Sequence, residues 1–168
     1  MKKNTVYLLL SFAGMIAVFL WMRNQGAPLK TAYTPAAIVD LEFAWTQQKA
    51  EHIMLAWRNI LDVARVNIYI DFLFIITYTA FLSLSCSFFS GKTTGKWAGV
   101  GHKLSKAVIA AGVFDVAENA LMLTTLQGTP NNMTAMITAT FAALKFAIAA
   151  IAVLYILASL PVWLLRRK

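Results

Sequence analysis

The chain is poor in the residues from which catalytic and metal centres are usually made. One cysteine and two histidines occur in 168 residues. A lone Cys86 excludes an intrachain disulfide, and its apolar neighbours predict a buried, inert thiol. His52 falls in an amphipathic stretch and His102 in a basic turn, so no Ser-His-Asp set can be assembled at one depth. Glu118 is followed three residues on by Leu121. That removes the Glu-x-x-His pattern of dinuclear carboxylate centres, and no metal site is expected. Glycines and lysines cluster in residues 91–103, but the sequence G-x4-G-K-[S/T] is absent. The segment reads as a flexible basic turn facing anionic lipid rather than a phosphate loop.

Charge is scarce as well. Charged residues make up 13% of the chain and hydrophobic ones 60%, with a mean hydropathy of +0.66. This excludes an ordinary soluble domain. Several apolar runs of about 20 residues predict transmembrane helices. The net charge of +8 would suit nucleic acid, but nine of the fifteen basic residues sit at membrane ends on one side: Lys2, Lys3, Lys92, Lys96, Lys103, Lys106, Arg166, Arg167 and Lys168. That is a positive-inside distribution, and nucleic acid is rejected as a partner.

What is present reads as an all-α membrane domain of four spans over residues 1–168. The first covers about residues 4–22. It resembles a signal sequence, but its apolar run continues through Met22 without a small-x-small cleavage site, so an uncleaved span is expected. It should pack or anchor without chemistry, with Gly14 and Ala17 allowing close approach. The others cover about residues 66–90, 104–126 and 133–165, which places both termini in the cytoplasm.

Residues 34–64, between the first two spans, are amphipathic. Thr34-Pro35 suggests an N-cap and a first-turn proline. Val39, Phe43, Thr46, Ala50, Ile53, Trp57, Ile60 and Ala64 form one stripe at helical spacing. Asp40, Gln47, Gln48, Glu51, Arg58, Asp62 and Arg65 oppose it. This segment is too charged to span and should lie externally, as one bent helix or two short ones, with Trp45 and Trp57 at headgroup depth.

The third span carries the most informative stretch. Asp115, Glu118, Asn119 and Met122 fall at i, i+3, i+4 and i+7 and share one face. Charges in hydrocarbon cost about 2.5–3.5 kcal/mol each on insertion scales, so they should face protein or water. At about 1.5 Å per residue, Asp71 on the second span and Lys145 on the fourth reach a similar depth. Glu42 lies beside the external stripe and would be a fourth acid. One lysine cannot neutralise the group, so protonation, Arg58 or Arg65 reaching down, or a bound cation must remove the surplus. Tyr78 and Tyr155 are candidate hydrogen-bond donors.

Three readings follow: a structural network, as in an accessory subunit of a membrane complex, a proton or cation relay for transport acting in a homodimer, and a pocket open to the outer leaflet. The pocket would take the head of a lipid-like or amphiphilic molecule at Asp71, Asp115, Glu118, Asn119, Lys145, Glu42 and Tyr78. Its tail would lie among Phe72, Phe74, Phe141 and Met122. Glu118, Asp115 and Lys145 are the catalytic candidates if chemistry occurs there. No cofactor is named by the sequence. Expected partners are membrane lipids and the amphiphile, with a homo-oligomer or a larger membrane complex compatible.

The ordered set Thr34-Pro35-Ala36-Ala37-Ile38-Val39-Asp40-Leu41-Glu42, Asp71-Phe72-Leu73-Phe74, Asp115-Val116-Ala117-Glu118-Asn119 and Lys145-Phe146 resembles a group of small uncharacterised bacterial four-span integral membrane proteins. The likeness spans roughly residues 34 to 158. It implies a bacterial inner-membrane protein with the same polar positions in view, and no particular activity.

Overall fold

The computed structural model describes residues 3–165, and every regular element among them is helical. In chain order these are α1 (Lys3–Gln25), α2 (Ile38–Glu42), α3 (Gln47–Ala56), α4 (Leu61–Ser90), α5 (Gly95–Leu126) and α6 (Asn132–Leu165). A 3-10 turn, Ala27–Leu29, follows α1. Four helices, α1, α4, α5 and α6, are long and apolar enough to cross a membrane. Their outward residues are large and apolar, as in Leu10, Ile76, Val113 and Leu154. Lys2, Arg166, Arg167 and Lys168, used above to orient the chain, lie outside the described residues.

Helix α5 packs against both α4 and α6, and α1 rests on α4. Gly14 faces Thr77 of α4, but a Cβ there would meet that side chain at an ordinary 3.5 Å, so the approach does not depend on the glycine. Ala17 faces outward instead, and Val18 is the buried contact. Polar groups fasten the end of α1: Asn67 Nδ2 donates to Met22 O (2.9 Å) and Gln25 Oε1 (2.8 Å). Gln25 Nε2 in turn donates to Val63 O (3.1 Å).

The segment between α1 and α4 departs from a single amphipathic stripe. The chain turns at Ala37 (φ 56°) and Trp45 (φ 60°), both in the left-handed region that side chains adopt at a cost. Helices α2 and α3 are therefore separate. The stripe holds through Ala50, Ile53 and Trp57, while Thr46 is exposed and caps α3 by accepting from Lys49 N. Thr34-Pro35 does not start a helix. The Thr34 hydroxyl is buried and donates to Leu29 O (2.7 Å). Trp57 is also buried rather than at the surface, its Nε1 directed at Leu29 O (3.0 Å) and Thr34 Oγ1 (3.1 Å). Trp45 is exposed.

Two boundaries move. Helix α4 begins at Leu61, so residues 61–64 belong to the span. Helix α5 begins at Gly95, which leaves a turn of residues 91–94 in place of the longer loop.

Candidate functional site: an acidic cavity beneath the short helices

Asp115, Glu118 and Asn119 are buried on one face of α5, because that face is turned toward α4 and α6. Lys145 on α6 meets them. Its Nζ lies 2.7 Å from Asp115 Oδ1, 3.0 Å from Glu118 Oε2 and 3.5 Å from Glu42 Oε2. Only the Asp115 contact has hydrogen-bond alignment; the two glutamates are held by charge. Tyr78 OH donates to the other Asp115 oxygen (2.9 Å), and Asn119 Nδ2 donates to Asp71 Oδ2 (2.7 Å). The seven side chains expected at this site are thus brought together from four helices, α2, α4, α5 and α6.

Glu42 reaches the cluster from the last turn of α2. Burial pushes its carboxyl above the usual glutamate range; Lys145 pulls it down, and Asp115 adds to the rise. Glu42 Oε2 and both Glu118 carboxyl oxygens are buried without a hydrogen-bond partner. Arg65 does not reach down to the acids. It pairs with Asp62 (2.7 Å) and donates to Leu126 O (3.0 Å). Arg58 is exposed.

Of the seven expected side chains all but Glu118 line one cavity of about 380 Å³. Along α4 it runs from Asn67 to Leu82, or about 22 Å at the helical rise. One end is polar. The other is lined by Met15, Phe81, Leu82 and Val153. Ile38, Val39 and Glu42 of α2 form its roof. Phe19, Phe146 and Val153 on its wall are exposed, so it opens sideways between α1 and α6.

Compared with protein-family models, curated proteins and solved structures, the chain matches none.

The apolar wall differs from expectation. Phe74 and Met122 line the cavity; Phe72 and Phe141 do not, and Phe141 stacks on Phe114 (5.5 Å). Tyr155 is also elsewhere, against Trp97 at the opposite end (5.1 Å). Sequence reasoning missed Met15, Phe19 and Met22 on α1, which recur at i, i+4 and i+7 and form a wall. Asn67 recurs with Asp71, Tyr78 and Ser85 at spacings of four and seven as a polar stripe on this helix, and the structure adds it to the cavity wall. Both histidines are exposed. Among the described residues no group of three His, Cys, Asp or Glu side chains is arranged to hold a metal ion. The lysine ammonium occupies the centre of the carboxylates.

Chemically, the arrangement can hold charge and hydrogen-bond a polar group. Lys145 is not an open nucleophile, since its ammonium faces three carboxylates.

Proposed function

We propose that this is a bacterial inner-membrane protein whose cavity holds a lipid-like or amphiphilic molecule. The polar head would sit at the Asp71–Asn119–Lys145 end and the chain along Phe74, Phe81 and Val153. The observation that supports this most is the shape and gradient of the cavity, polar and roofed at one end and wholly apolar at the other. Its volume falls within the range of small-molecule sites, about 300–1,000 Å³. With the basic ends of the chain in the cytoplasm, the roofed end faces the outer leaflet.

A relay across the membrane has less support. Between Lys106 and Asp115, α5 carries no charged residue, and α6 carries none between Lys145 and its end at Leu165. The interior there is packed by Cys86, Val108 and Ala152.

Native mass spectrometry of gently extracted protein tests the proposal. One co-purifying amphiphile per chain is expected, and it should be lost in a variant that fills the apolar end, Ala149→Trp with Val153→Trp. Identical adducts on the native and filled proteins, or bare protein in both, sink the reading.

A further inference from the structure

We infer that the polar end of the cavity selects a cationic nitrogen bearing N–H groups, namely a protonated amine on an apolar chain. This rests on the pocket reading above and names the class of its ligand.

The census of donors and acceptors carries the inference. Four side chains on the cavity wall have hydrogen-bond donors, and each is engaged on an internal acceptor. Tyr78 OH is directed at Asp115. Asn67 Nδ2 serves Met22 O and Gln25 Oε1. Asn119 Nδ2 serves Asp71. The Lys145 ammonium faces Asp115, Glu118 and Glu42. Acceptors are in surplus. Asn119 Oδ1 is fully buried with no partner, and Asp71 accepts a single hydrogen bond, at Oδ2. An orphaned buried acceptor is costly unless something donates to it.

Charge points the same way. Glu42, Asp115 and Glu118 surround one lysine, Asp71 is a fourth acid on the same cavity wall, and neither Arg58 nor Arg65 joins them. A phosphate or carboxylate head would add to an acidic excess and find no free ammonium. A protonated amine reduces the excess and supplies the missing donors. Asp71 is the residue placed to receive it, being half-buried on the cavity wall where the other acids are closed in around Lys145. Phe74 and Tyr78 add ring faces of the kind that attract cations.

The test uses the full chain in phosphatidylcholine nanodiscs, with empty nanodiscs as the blank. Dodecylamine, dodecyltrimethylammonium, dodecanol and dodecyl phosphate are titrated in turn. Dodecylamine is expected to bind at least about tenfold more tightly than dodecanol, the span of one charge-assisted hydrogen bond. The quaternary ammonium should fall between them, and dodecyl phosphate should bind least. In Asp71→Asn the amine-to-alcohol ratio should drop toward one. Equal or tighter binding of dodecyl phosphate, or an amine preference that survives Asp71→Asn, overturns the inference while leaving the pocket in place. Failure of all four to bind overturns the pocket itself. The head-group ranking is read on the unmodified protein, so it decides the matter even if the variant misfolds. Replacing part of the phosphatidylcholine with phosphatidylethanolamine separates the sources. Enrichment of that lipid in the retained fraction identifies a bilayer headgroup, and its absence alongside dodecylamine binding identifies a free amine; both agree with the inference.

Discussion

The two ends of the same long helices are held together by different chemistry. At the end near α2 and α3, contacts between helices run through Lys145 and its carboxylates, around a cavity. At the other end they run through shape. Trp97 lies over Tyr155 and its Nε1 donates to Ser159 Oγ (2.9 Å). Ser83 Oγ donates to Ser105 O (2.8 Å), and Ser90 Oγ to Ala98 O (2.8 Å). Gly101 receives the Tyr155 ring so closely that a Cβ would collide with its hydroxyl. No ion pair joins helices there among the described residues. These helices therefore pack well without buried charge. A buried ion cluster is seldom the cheapest way to join helices, so its confinement to the end with the cavity argues for use in binding.

Lys145→Met tests that contrast hardest. Removing the only cation among buried carboxylates should cost about 3–5 kcal/mol, the usual penalty for orphaning a buried charge. Thermal unfolding in detergent would show it; a loss no larger than that of an ordinary core substitution would erase the distinction between the two ends. Gly101→Leu probes the other end by overpacking against Tyr155, at about 1–3 kcal/mol. It should leave amphiphile binding intact, and loss of binding with normal stability would couple the ends.

A pH series sharpens the charged end further. Burial raises the Glu42 carboxyl in the folded protein above its unfolded value of 4.5. Between those two values the folded state binds more protons than the unfolded state, so this residue's contribution to stability falls as pH rises. Glu42→Gln should flatten that slope in melting temperatures taken across the window; an unchanged slope would remove Glu42 as its source. The smallest effect belongs to Ser159→Ala, which gives up the hydrogen bond from Trp97 Nε1, worth about 0.5–1.5 kcal/mol. A larger loss by the same melting assay would show that the hydroxyl contacts act as a network.

Much of this arrangement was legible in residue spacing. Asp115, Glu118 and Asn119 fall on one face by period alone, and counting residues from the helix ends matched Lys145 to their depth. Less visible was the path between α1 and α4. The left-handed turns occur at Ala37 and Trp45, residue types that do not advertise positive φ, so a continuous stripe looked plausible through them. Asp62 and Arg65 look like part of an interfacial segment, yet they pair with each other in the first turn of α4. Glycines 95, 99 and 101 suggested a loop. In the structure all three lie in a helix, and Gly101 is required by the approach of Tyr155 rather than by a bend.

Helix α1 was expected to carry no chemistry, and it contributes no charge to the cluster. It does supply Met15, Phe19 and Met22 to the cavity wall. Those three side chains are spaced like marks on a ruler, one turn apart, along the direction in which an acyl chain would lie. Under the proposed reading, head-group choice would rest with α4, α5 and α6 and chain-length choice with α1. Exchanging α1 side chains would then let the same charged cluster serve a longer or shorter tail.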